Sequence, residues 1–295
     1  MSRMSRPPSN ESEEQLPAPG SEPWSVVRRP SSEPLLTLHE ELRTCRRCLE
    51  EGYRIAPGPV FSSGPSPRVM LIGQAPGPTE AVVKRPFNAG SGKRLFKWLA
   101  EAGWDEADFR ATAYMTAITK CYPGRSDSGK GDRVATPYEQ MLCRPWLEQE
   151  LRLVNPRLLI LVGGLAIKLL YPPTARLDAI IGTAAWFPPA ALAADPWNFD
   201  LSQAEIVMTA ADRPPTAAKP AASKPVGSPA ADFTSDDSNS DDGLSSAVGG
   251  RSGGRFVVPL PHPSGASLWP NKPENQALIR RAMALLGEIR VACGL

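Results

Sequence analysis

Histidine is scarce in this 295-residue chain, two in all, and cysteine is limited to five. No apolar run reaches the roughly 20 residues that a bilayer-spanning helix needs. The longest, Leu158 to Leu170, is broken by Lys168. The first ten residues, Met1 to Asn10, lack the apolar core of a secretory signal. Membrane insertion and export are not expected, and the protein is expected in the cytoplasm. Five thiols in that compartment point to reduced side chains or metal ligands, not disulfides. A large charge of either sign is missing too: the formal net charge is +2, which alone names no partner.

Apolar residues make up 41% and charged residues 22%, enough for a globular core, yet Gly 24 and Pro 33 together approach a fifth of the chain. That is too many for uniform packing. They concentrate in two places. Residues 1–34, rich in Pro, Ser and Glu, read as a disordered tail. Residues 211–254, a low-complexity Ala/Pro/Ser/Gly stretch with Asp236, Asp237, Asp241 and Asp242, read as a disordered insertion. One domain, 35–295, is therefore expected with that interruption. The tail holds four basic and five acidic residues and the insertion four and six. What remains carries a surplus of about five positive charges, a modest lean towards polyanions.

Periodicity supplies the elements. Leu36, Leu38, Leu42 and Leu49 among charges predict a helix ending near the first cysteines. Strands are predicted at 68–72, 113–120, 157–162 and 255–260, the third continuously apolar as a strand buried on both faces would be. Helices are predicted at 91–102, 137–154, 164–170 and 274–290, and residues 171–254 read as irregular. Strands alternating with helices predict an α/β fold: three α/β/α layers around a mostly parallel four-stranded sheet. Ligands of such sheets sit outside the carboxyl ends of the strands. The unusual turns fall at those ends: Gly73-Gln74-Ala75-Pro76-Gly77, Lys120-Cys121-Tyr122-Pro123-Gly124, Gly163-Gly164 and His262-Pro263-Ser264.

The Gly73–Gly77 turn would expose backbone N–H groups to a ligand, unless it is an ordinary strand-to-helix turn. No Gly-Lys-Ser/Thr comes after it, so it is not a phosphate-binding P-loop. His262 stands between two prolines, which hold its backbone extended and aim the imidazole; His39, within the first helix, reads as structural. Cys45 and Cys48 form a C-x2-C pair that joins Cys121 and Cys143 as a four-thiolate set for zinc or an iron–sulfur cluster. Phe87 is either core or a platform for a planar base. Around it, Lys84, Arg85, Lys93, Arg94 and Lys97 read as a phosphate-tracking patch or a solvated helix face. Trp269 reads as a wedge for a base stack or as packing.

Taken in order, Gly-Gln-Ala-Pro-Gly, Glu80, Arg85-Pro86-Phe87, Gly90, Gly92, Lys-Cys-Tyr-Pro-Gly, Cys143 and His-Pro-Ser resemble the uracil-DNA glycosylase superfamily. The similarity is greatest to its family 4 type, which carries a [4Fe-4S] cluster, and runs from about residue 42 to 290 outside the insertion. The resemblance implies a monofunctional DNA glycosylase, a monomer that hydrolyses the N-glycosidic bond of a flipped-out uracil or other deaminated or damaged base and leaves an abasic site. It assigns cluster ligation to Cys45, Cys48, Cys121 and Cys143. Gly73, Gln74, Ala75, Pro76 and Gly77 fall at the water and base pocket, Glu80 in polar support and Phe87 under the base. His262, with Ser264 beside it, falls at the charge developing on the departing base. Lys93 and Arg94 fall to DNA contact and Ala117 to the edge of the base. Family 4 commonly has Glu at position 74, Asn at 117 and Asp at 81, where this chain has Gln74, Ala117 and Ala81. The stretch from Arg125 to Arg133 reads as a loop extension. The same pattern fits a weak or inactive iron–sulfur DNA-binding protein of this fold. A small-molecule-binding α/β protein with structural zinc is the remaining alternative.

Overall fold

The computed structural model describes residues 32–129, 131–208, 248–265 and 267–295. The expected tail up to residue 31 and most of the expected insertion, 209–247, lie outside the described residues. Residues 248–250 form a turn and 253–254 a bend.

Among the described residues, six strands form one sheet in the order β2-β1-β3-β6-β4-β5: β1 (Val69–Gly73), β2 (Tyr114–Ala117), β3 (Leu158–Val162), β4 (Ala184–Phe187), β5 (Glu205–Val207) and β6 (Arg255–Leu260). The four predicted strands are the contiguous parallel ones, β2, β1, β3 and β6. The predicted count is corrected by two short antiparallel strands, β4 and β5, added at one edge. Both fall in the stretch expected to be irregular. β4 opens on two alanines and β5 has only three residues, too short for an alternating pattern to show. Pro259 sits within β6, where a proline normally interrupts pairing. It is tolerated because the β4 ladder stops at Val257, so no partner on that side requires the missing N–H.

The helices are α1 (Ser32–Arg43), α2 (Arg47–Glu50), α3 (Pro78–Val83), α4 (Gly90–Glu101), α5 (Glu106–Thr112), α6 (Pro137–Val154), α7 (Gly164–Ile167), α8 (Leu177–Ile180), α9 (Pro189–Ala193) and α10 (Pro273–Cys293). They complete an α/β/α arrangement in which α10 packs on α4 and β6, and α1 and α2 pack on α6. Every residue of β1 and β3 is buried. Each large apolar side chain so placed contributes roughly 1.5–3 kcal/mol, so the central strands are firm supports for the turns at their carboxyl ends. In register Gly73 lies opposite Ala117 and Val162 opposite Leu260. The four distinctive turns therefore leave from one edge.

Helix α6 is set by its start. Thr136 and Glu139 form a reciprocal capping box, and Pro137 occupies the first turn. Pro145 lies inside α6, two residues beyond Cys143.

Candidate active site

A cavity of about 480 Å3 opens at that edge, lined by the Gly73–Glu80 turn together with Phe87, Thr116, Ala117, Asp132, Leu165, His262 and Ser264. Gln74, Ala75, Pro76, Gly77 and Ala117, predicted for the pocket from separate stretches, are thus brought together with Phe87 and His262.

Phe87 is held in an unusual backbone conformation, φ 50°. Bulky residues avoid that region unless their surroundings force it. Arg110 on α5 supplies the force, donating Nη1 to the Pro86 carbonyl and Nη2 to the Phe87 carbonyl, each at 2.8 Å. On the next two residues, Glu80 Oε1 accepts the N–H of Asn88 at 3.0 Å and of Ala89 at 3.2 Å. Gly92 leaves room, since a β-carbon there would run into the Phe87 carbonyl. Gly73 has the same function on the other side: a β-carbon would lie 2.9 Å from Phe87 Cζ. The ring is therefore laid against the bare backbone at the end of β1. Arg110 went unread in the sequence. An arginine on a short, unpredicted helix carries no local signal of such a role.

His262 leaves β6 between its two prolines. Its Nδ1 accepts the Ser264 N–H at 3.2 Å, which leaves Nε2 to carry the proton of the neutral ring. Burial lowers its pKa from the ordinary value, so the neutral form is favoured. Gln74 Oε1 accepts the Leu165 N–H at 3.1 Å, at the first turn of α7.

The predicted basic patch is not gathered at the cavity. Lys84 turns back to donate to the Gly58 carbonyl at 2.9 Å, and Arg85 reaches Asn88 Oδ1 at 3.4 Å. Lys93 and Arg94 lie on α4 away from the base-sized cavity. Arg94 donates to Asn271 Oδ1 at 3.3 Å and lines a separate hollow with Lys97 and Arg280. Trp269 is partly buried against the core, whereas its neighbour Leu268 is 74% exposed. The sequence signal for Leu268 was available: a large apolar residue within the polar loop after His-Pro-Ser.

Cys45, Cys48, Cys121 and Cys143 line one small cavity, closed by Leu42, Ala135 and Trp146. Trp146 Nε1 donates to Cys45 Sγ at 3.2 Å and the Lys120 N–H to Cys143 Sγ at 3.3 Å. Burial pushes the Cys121 thiol up to about 11 and the Cys143 thiol up to about 12, and the neighbouring sulfurs act in the same direction. Among the described residues, no group of three or more His, Cys, Asp or Glu side chains is placed to hold a metal ion. The donor chemistry nevertheless fits a sulfur-bound cluster: four soft ligands face one cavity, and N–H groups are already aimed at two of them. Cys293, near the end of α10, stands outside this set.

Directly behind the two sites lies a fully buried ion pair. Lys120 Nζ meets Glu150 Oε2 at 2.6 Å, with the two side chains 1% and 0% exposed. The ammonium also donates to Thr116 Oγ1 at 2.7 Å and to the Ala117 carbonyl at 2.8 Å.

The sequence model of the uracil DNA glycosylase superfamily matches residues 61–287. The chain is 30% identical over 150 residues to the type-4 uracil-DNA glycosylase of Pyrobaculum aerophilum, a match covering 50% of this chain and 70% of that one. It is 25% identical over 136 residues to that of Sulfurisphaera tokodaii, covering 45% and 56%. It is 26% identical over 133 residues to that of Archaeoglobus fulgidus, covering 44% and 60%. The chain thus spans less than two thirds of the latter two relatives. Motif order, sheet topology and this match agree, and the chain belongs to the uracil DNA glycosylase superfamily as a divergent, type-4-like member.

Proposed function

We propose that the protein is a monofunctional DNA glycosylase that hydrolyses the N-glycosidic bond of uracil or another deaminated or damaged base in DNA, leaving an abasic site. The observation that carries this reading is the convergence of Gln74, Phe87, Ala117 and His262 on one cavity from four separate stretches of chain.

A target base must leave the stack before attack, at a cost of a few kcal/mol. The Phe87 ring, held by Arg110 and Glu80, offers a flat apolar surface to receive it. As the bond breaks, its electron pair leaves with the base and negative charge grows on the base oxygen. His262 Nε2–H is the donor aimed at that charge, because Nδ1 is already committed to Ser264. The Ala117 methyl offers no amide to read a base edge. A lost bidentate contact removes roughly 1–3 kcal/mol of discrimination, so selectivity for uracil is relaxed.

Cys45, Cys48, Cys121 and Cys143 would hold a [4Fe-4S] cluster, which would supply a structural cross-link between the α1–α2 junction, the turn after β2, and α6. Catalysis uses no electron from it. The working unit is residues 35–295, acting as a monomer in the cytoplasm.

The test is incubation with oligonucleotides containing uracil, hypoxanthine or xanthine, and then alkaline cleavage of abasic sites. Scission of at least one supports the reading, and scission of none overturns it. Ala117 also favours a second reading, a cluster-bearing DNA-binding protein without catalysis. Tight binding to uracil-containing or abasic DNA without product supports that one.

A further inference from the structure

We propose that Asp132 is the catalytic carboxylate that takes the proton of the attacking water, an inference that rests on the glycosylase reading. Hydrolysis joins a water oxygen to the sugar carbon while the carbon–nitrogen bond breaks and its electrons leave with the base. The water proton must then pass to a protein group, because the departing base is met by a donor. The cavity offers few acceptors. Gln74 is an amide and takes no proton. His262 accepts the Ser264 N–H at Nδ1 and presents N–H to the base. Glu80 is buried, and its carboxylate holds the Phe87 loop through two backbone N–H groups on Oε1, an anchor that a proton on Oε2 would weaken by removing the charge. Asp132 is the one lining carboxylate left at the rim.

Its aim is fixed from two directions. Oδ1 accepts the Tyr122 hydroxyl at 2.7 Å. Oδ2 faces the first turn, 3.8 Å from where a β-carbon on Gly77 would sit, and has no hydrogen-bond partner among the described residues. Asp132 lies in the extension read from the sequence, whose described ends pair with each other. The backbones of Arg125 and Asp132 pair in an antiparallel bridge, and the Arg133 N–H donates to the Gly124 carbonyl at 3.0 Å. Gly124 and Gly131 take φ values of 99° and 82°, which other residues adopt only under strain. Arg133, the next residue, grips Glu139 with both Nη atoms at 2.6 Å. Glu139 in turn caps α6. The extension is thus anchored one residue from the carboxylate and delivers it over the Gly73–Gly77 turn.

The balance closes without any co-reactant other than water. Water oxygen bonds to the sugar carbon, its proton moves to Asp132 Oδ2, and the base leaves as an anion hydrogen-bonded to His262. Solvent then removes the proton from Asp132.

The experiment compares wild type, Asp132→Asn and Asp132→Ala in single-turnover excision on an oligonucleotide carrying a base that the wild type removes. Affinity for the same oligonucleotide with a tetrahydrofuran abasic analogue is measured alongside. Asp132→Asn is expected to slow excision about 10²–10⁴-fold, with DNA affinity within about threefold and an unchanged melting temperature. Added formate is expected to restore part of the rate of Asp132→Ala. Wild-type rates in Asp132→Asn, or a loss no larger than the loss of affinity, overturn the proposal and leave the glycosylase reading standing. A wild-type protein that removes no base at all overturns both.

Discussion

The Gln74 side-chain carbonyl accepts the Leu165 amide hydrogen at 3.1 Å, tying the turn after β1 to the first turn of α7. Gly163 lies beside that bond at φ 88°, and a β-carbon on it would come within 2.9 Å of His262 Cδ2 and 3.0 Å of Gln74 Cδ. Bare backbone at 163 is what allows the amide and the imidazole to share one wall. Gly163→Ala should therefore cost about 1–3 kcal/mol of stability through strain and lower excision at least tenfold. Urea unfolding and single-turnover assays measure the two effects. Wild-type activity in this variant would mean that the convergence at Gly163 is incidental.

The charge state of His262 is set by its burial. Burial lowers its pKa from the ordinary value near 6.5, so the neutral ring is the majority form at pH 7. In the proposed reaction the donor to the departing base is therefore a neutral N–H. Replacing it with alanine should cost about 10²–10³-fold in rate, by a similar factor at pH 7.5 and pH 6.5, with folding intact. A loss that appears only at the lower pH would instead assign the work to imidazolium.

The Lys120–Glu150 pair predicts an asymmetry in stability. Removing one member strands a buried charge, whereas removing both leaves a volume that apolar groups can fill. Glu150→Gln is expected to cost about 3–5 kcal/mol. The double variant Lys120→Met/Glu150→Leu is expected to recover most of that in denaturant titrations. Because the ammonium also donates to Thr116 and the Ala117 carbonyl, the double variant should lose activity even where stability returns. Full activity in it would detach the pair from the site.

His39 supplies a pH dependence of stability. Burial, aided by the positive charge of Arg43, pushes its pKa from 6.5 down to about 4, and Nε2 lies 2.9 Å from the Tyr114 hydroxyl. The unfolded chain takes up this proton near pH 6.5 and the folded chain only near pH 4. Stability is therefore fully present above 6.5 and falls as the pH drops through that window. Between pH 7 and pH 5 the wild type should lose about 2 kcal/mol more than His39→Gln. Equal losses in the two proteins would place the proton uptake elsewhere.

How far the sequence could be read depended on the kind of signal each residue left. β3 and α6 were legible because continuous apolar residues and a proline at a helix's first turn are local features. The turns were legible because glycine and proline mark them, and a parallel sheet brings them to one edge. β4 and β5 were not, since β4 is placed by pairing with β6 across a long stretch of chain and β5 only by pairing with β4. Nor was Arg110, whose hydrogen bonds to the Phe87 loop are long-range. Lys93 and Arg94 lie outside the lining of the cavity, so clustered charge in sequence did not mark the cavity itself, and their contact with DNA stays a proposal.

Leu268 and Trp269 divide a role that sequence had offered to the tryptophan alone. The indole packs on the core and the Trp269 carbonyl accepts Asn275 Nδ2–H at 2.8 Å, so this side chain anchors the loop. Leu268 projects into solvent on the same loop as His262. When a base is drawn out of a duplex it leaves a gap of apolar stacking surface. Burying a leucine there returns roughly 1.5–3 kcal/mol, or about 10–100-fold in the population of the extruded state. Single-stranded DNA has no such gap to fill. Leu268→Ala should accordingly slow excision from duplex DNA about 10–100-fold while leaving single-stranded excision within about threefold. Trp269→Ala should lower the melting temperature and slow both substrates alike. Equal sensitivity of the two substrates to Leu268→Ala would show that the leucine only shapes the loop.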